Sequence, residues 1–200
     1  MYDQRVSAVL RGPAICLLLI STLSLQSCKP KFPADPGLLT DNLGTGVKLG
    51  ISEQAARDVA ARGAAGLTLW VLTPDELNER DPYNERPQGT DLAVALYSPE
   101  LKAGGAHSAG PAVYELRCYL APPPGGAVRL LGKPAAQLTS QIIIDSLGQP
   151  ADKTEGNDGR TYLTYYFLGN RGRGGVRLVT SHETDGHCFA VLLSTVGLPK

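Results

Sequence analysis

Residues 138–194 constrain the fold more tightly than any other stretch. They read LTSQIIIDSLGQP, followed by three runs of strand character: TYLTYYFLG, GVRLVTSHE and HCFAVLLS. Thr139 is placed to cap a helix that runs through Leu147, with Leu138 and Ile143 as an apolar staple around the cap. Gly148 ends that helix and Pro150 blocks its continuation. Asn157-Asp158-Gly159 and Asp185-Gly186 are turn signals ahead of the first and third runs. The pattern predicts a short helix followed by an antiparallel meander. The GNRGRGG loop between the first two runs shows Arg171 and Arg173 at its tip.

The first half echoes that order. In GVKLGISEQAARDVAARG, Val47 and Leu49 alternate around Lys48, a short strand signal. Ser52 caps a helix with Glu53 in its first turn, where the helix dipole favours an acid, and Gly63 stops it. Its apolar stripe is Ala55, Ala56, Val59 and Ala60, so the helix should lie close to a sheet. LTLWVLT, TDLAVALYS and AVYELRCYLAP read as strands. Alternation in the last puts Tyr114, Leu116, Cys118 and Leu120 on the buried side, with Val113, Glu115, Arg117 and Tyr119 opposite. Residues 74–89 are polar, carry three prolines and a local charge of minus three, and read as an exposed loop with at most one helical turn at residues 75–79. PPPGG at 122–126 is the internal boundary, and VRLLG is a further short strand. The fold class is α+β: an antiparallel sheet with two short helices on one face. Two arrangements stay open. One is a tandem repeat of two similar modules, residues 43–122 and 127–198, the first with an insertion; the other is a single domain whose elements rhyme.

An apolar fraction of 42 % supports a packed core. Nineteen basic and nineteen acidic residues cancel, which leaves no strong field to draw nucleic acid. Residues 14–25 form an uncharged apolar run behind Arg5 and Arg11. It is short of the roughly 20 residues that span a bilayer and has the length of a signal-peptide core. Ser24-Leu25-Gln26-Ser27-Cys28 follows. An apolar run with a small residue directly before Cys resembles the bacterial lipoprotein signal. That resemblance implies that residues 1–27 are a signal peptide cleaved before Cys28, which would carry diacylglycerol and an N-linked acyl chain such as palmitate. Several acyl chains anchor a protein stably where one does not. In such lipoproteins an Asp after the Cys favours the inner membrane; Lys29 stands here, which implies the outer membrane, facing the periplasm. The competing reading is an ordinary secretory signal. Residues 28–42, with Pro30, Pro33 and Pro36, read as an extended tether. Cys16 would leave with the signal. Cys118 and Cys188 remain, either as a disulfide stapling the two halves or as two buried thiols.

Leu138-Thr139, the Leu147-Gly148-Gln149-Pro150 stop, the aromatic run from Tyr162 to Phe167 and the Asp185-Gly186 turn together resemble the SmpA/BamE-like lipoproteins. Tyr162 and Tyr165 stand where that family usually has Trp. Two such modules in tandem are similar to the β-lactamase-inhibitor-protein architecture. The resemblance implies a binding or scaffold module and no catalyst.

Chemical motifs point the same way. His182, His187 and Cys188, with Glu183 and Asp185, match no zinc spacing and read as an exposed hairpin tip. Ser181, His182 and Asp185 are neighbours in sequence, whereas a triad needs groups converging from different elements. GxSxG, HExxH and phosphate-loop patterns are absent from the sequence. No catalytic residue, metal or cofactor is expected. The exposed sheet face is expected to carry the binding surface, with Tyr162, Arg171, Arg173 and Arg177 on it, because Tyr and Arg are frequent interface anchors. The expected partners are a protein of the cell envelope and, through Cys28, the membrane. An inhibitor or immunity lipoprotein that blocks a toxin or hydrolase is the alternative, and an enzyme the third reading.

Overall fold

The computed structural model describes residues 32–38, 42–102, 111–122, 126–168 and 175–196. Cys28, Arg171 and Arg173 lie outside them. Phe32–Lys200 form one compact unit. Its helices are α1 (Glu53–Arg62), α2 (Pro74–Asn78), α3 (Pro82–Glu85) and α4 (Ser140–Leu147). Its strands are β1 (Leu67–Leu72), β2 (Asp91–Lys102), β3 (Pro111–Tyr119), β4 (Arg129–Leu130), β5 (Lys133–Pro134), β6 (Asp152–Glu155), β7 (Thr161–Leu168), β8 (Gly175–His182) and β9 (Cys188–Val196).

Seven strands make one mixed sheet in the order β1-β2-β3-β9-β8-β7-β6, and β4 and β5 pair apart from it. The last strands of the two halves, β3 and β9, meet antiparallel at the centre, with Leu116 opposite Leu193. The fold is therefore α+β, as the sequence implies, but not wholly antiparallel. β1 runs parallel to β2 because residues 73–90 return the chain over the face of the sheet rather than through a tight turn.

The two capped helices arise as expected. Ser52 Oγ accepts from Ala55 N, and Thr139 Oγ1 accepts from Ile142 N. Gly63 and Gly148 close the helices with φ of 65° and 83°, which an L side chain resists. Both helices cover one face, called inner here. Ala56 of α1 and Ile143 of α4 are fully buried there with Ala93, Ala95, Leu116, Leu163, Leu178 and Leu193. Alanines on both the helix and the sheet let the backbones approach closely. Tyr165 joins the same layer, and its hydroxyl donates to Gly148 O at 3.2 Å, tying β7 to the stop of α4. Burial pushes that phenol up to about 12, so it serves as a donor at any physiological pH.

Several elements differ from the sequence reading. Residues 74–89 are not a free loop. Thr73 and Glu76 form a capping box on α2, Asp81 caps α3, and Leu77 is buried on Leu92, Val94 and Leu96 of the outer face. Arg80 stacks on Trp70 at 3.8 Å, and Arg86 donates to Leu120 O. Short helices thus lie on both faces. Val47 is buried, but residues 47–49 form no strand. β6, the exposed and charged DKTE, is an edge strand that the sequence does not announce; charge along an edge discourages further pairing. In β3 a bulge opposite Leu96 and Tyr97 inserts Tyr114, so Val113 turns inward and Tyr114 outward.

The expected tether is also shorter at its far end. Leu168 N donates to Pro33 O and Asp35 N to Leu168 O, so the proline-extended backbone pairs with the end of β7. Leu38 and Leu43 enter the core.

One buried polar group organises the link between halves. Asp91 opens β2 and has no solvent exposure. Its carboxylate accepts from Ala121 N at 2.7 Å and from Val128 N at 2.8 Å, gripping both ends of the proline-glycine connection.

Candidate functional site

The outer face divides in two. α2 covers it over β1 and β2. Over β3, β9, β8 and β7 no described helix covers it, Phe32 packs on Tyr166 at the β7 side, and a trough of about 250 Å3 runs along it. Register dictates its shape. Across the strands, Tyr162 stands opposite Ser181, Ser181 opposite Ala190, and Ala190 opposite Tyr119. In that row small side chains on the two middle strands make the floor and a tyrosine on each flanking strand makes a wall; in the next, Val179 and Leu192 continue the floor.

Tyr83 of α3 forms a lip. It is an exposed aromatic, 51 % accessible, and packs edge-on to Tyr119 with centroids 5.0 Å apart. Phe189 joins them because a bulge between the Ser181–Ala190 and His182–Cys188 pairs makes it the extra residue of β9. Arg160 lies over Phe189 at 4.7 Å and holds both oxygens of Glu183 at 3.0 Å. Burial pushes the phenols of Tyr83 and Tyr119 above the ordinary tyrosine value, so both keep their protons as donors. Arg117, ion-paired with Glu115, and Arg177 line the other end.

Tyr162 and Arg177 therefore stand on the open face, as expected of them. Tyr83, Tyr119, Arg160 and Phe189 complete the site and were not picked out. Alternation places Arg117 and Tyr119 on this side, but nothing local signals the bulge that adds Phe189 or the crossover that brings Tyr83.

The SHETDGHC segment departs from its expected role. His182 is fully buried rather than at an exposed tip. Its Nδ1 lies 3.0 Å from Gly186 O, which can only accept, so Nδ1 carries the proton; Nε2 then accepts from Thr180 Oγ1 at 3.0 Å. Burial lowers its pKa, partly opposed by the bond to Gly186. The unfolded imidazole takes up a proton near pH 6.5, and the folded one resists doing so. Stability from this group is complete above that value and is lost as pH falls through the lowered folded value. Urea midpoints should decline below about pH 6.5, and less steeply in His182→Gln; equal slopes in both proteins would refute this role. Among the described residues no group of three or more His, Cys, Asp or Glu could hold a metal ion.

Of the two readings of Cys118 and Cys188, the structure has the unbridged one: both are buried free thiols. Val191 stands opposite Cys118, and His182 opposite Cys188. Burial pushes the Cys188 thiol up to about 12 and Cys118 higher still.

No family model matches this chain, and no curated protein matches it. Among solved structures it is similar to a DUF4309 family protein, YjgB, from Bacillus subtilis, at 15 % identity and a TM-score of 0.30, over 47 % of this chain and 54 % of that one. The similarity thus spans about half the length of the Bacillus protein.

Proposed function

We propose that this chain is an exported lipoprotein, anchored in the cell envelope through Cys28, that binds another protein with the open outer face of its sheet. The observation that carries the reading is the trough itself. It gathers three tyrosines, a phenylalanine and three arginines along one face of the sheet, over a floor of Ser181, Ala190, Val179 and Leu192. Tyrosine and arginine supply large contact area with few rotors, which suits protein docking. On the same reading the halves are a tandem pair of modules. Each gives one capped helix to the inner face and its last strand to the centre, and residues 74–89 are an insertion that walls the trough.

The test uses the full chain in its own membrane with a photoreactive phenylalanine analogue at position 162. Irradiation is expected to give one discrete cross-linked protein, which the same probe at Gln141, exposed on α4 across the sheet, does not give. Equal yields from both positions, or none, would sink the docking role. Cys28→Ser is expected to release the protein from membranes; a variant that still sediments with them removes the anchor from the proposal.

A further inference from the structure

Three arginines border the trough, and two are already held by carboxylates of this chain: Arg117 by Glu115 and Arg160 by Glu183. Arg177 makes no ion pair among the described residues, and its buried Nε–H has no hydrogen-bond partner. Ser194 stands directly opposite it in register. Ser194 is 3 % exposed, and its Oγ is likewise buried without a partner among the described residues. Glu115, on the other side of Ser194, is turned to Arg117.

A charged donor, Arg177 Nε–H at the end of the trough, and a hydroxyl beside it, Ser194 Oγ, are thus left unsatisfied among the described residues. Native structures rarely tolerate this without a functional reason. The group that answers both an Nε–H and an O–H is an acceptor with two oxygens, and guanidinium geometry favours a carboxylate. One guanidinium without an ion pair among the described residues matches a single negative charge.

We infer that this end of the trough receives an Asp or Glu side chain from an extended segment of the partner, one oxygen on Arg177 and the other on Ser194 Oγ. This rests on the reading of the open face as a docking surface and adds the partner's chemistry. A rotation of the Arg177 side chain, common when interfaces form, turns its donors into the trough. The tyrosine-walled row at Ser181 is four residues along β8 from Arg177, about 13 Å. An extended segment lying along the strands would therefore carry its acid four positions from an apolar or aromatic residue seated between Tyr162 and Tyr119.

Two capped five-residue peptides serve as probes, each with Tyr first and three alanines between, ending in Glu or in Gln. The full chain, labelled with nitrogen-15, is followed through its arginine Nε–H resonances; the Arg177 signal is the one lost in Arg177→Lys. The Glu peptide is expected to shift that signal saturably and to bind about tenfold tighter than the Gln peptide. Arg177→Lys and Ser194→Ala should each erase most of that preference. Ser194→Ala keeps the test available if the arginine variant folds poorly. Equal binding of the two peptides, binding that leaves the Arg177 signal still, or no binding would overturn the inference. Should cross-linking from position 162 succeed in that case, docking on the face stands and only the carboxylate fails.

Discussion

Asp91→Ala is expected to destabilise the protein by about 4 kcal/mol, because two buried N–H groups would lose their acceptor at a cost of about 1–3 kcal/mol each. For a domain of this size that is about 10 °C in melting temperature. The carboxylate holds Ala121 N and Val128 N together across the proline-glycine connection, and both partners are rigid backbone that cannot turn to water. Asp91→Asn separates geometry from bulk. Its amide keeps one acceptor but sets an NH2 against the second N–H, so it should recover about half of the loss. Gly126 marks how tightly the carboxylate is enclosed: a Cβ there would come within 3.1 Å of Asp91 Oδ2. Thermal unfolding followed by circular dichroism reads all of this. A loss under about 1 kcal/mol in Asp91→Ala would mean that the connection is held by other contacts.

Leu193→Ala should have the second largest effect, about 3 kcal/mol, and should show that the halves fold together. Leu193 lies between Leu116 of β3 and Leu178 of β8, and all three are within 1 % of full burial. It belongs to the second half but packs on the first. The single Trp of the chain, Trp70, is in β1 at the far edge of the first half. If the sheet is one cooperative unit, the urea midpoint seen by Trp70 fluorescence falls in step with that seen by far-ultraviolet circular dichroism. A Trp70 midpoint that stays in place while circular dichroism shifts would show two separately folding halves.

What could be read from residues alone follows physical lines. α1 and α4 were legible because caps, stops and apolar stripes are local, and β7 and β8 because their strand-forming runs and the turn signals beside them are local too. Asp91, Thr180 and His182 were not. Polar residues read as surface until the fold supplies partners, and theirs are mostly backbone atoms far away in sequence or hidden by a turn. The crossover escaped because Leu77 is its one buried apolar contact, too little to set a period. β6 has no strand pattern of its own and is held only by pairing with β7. For the trough, residue type was enough to put Tyr162 and Arg177 on the exposed face, but the bulge at Phe189 and the crossover at Tyr83 decide which side chains join them.

The pairing of residues 32–38 with the end of β7 bears on reach. If, as proposed, Cys28 carries the lipid, covalent geometry alone limits the span from the anchor to residue 32 to no more than about 14 Å. Six inter-strand spacings make the sheet about 29 Å wide. That span is shorter than the body is wide, so under the proposed anchoring the trough works only close to the membrane. A partner for the trough would have to come to the membrane surface, or be embedded in it, and lengthening the leash with a flexible insert after Lys31 would widen the range of proteins it meets while weakening its hold on that one.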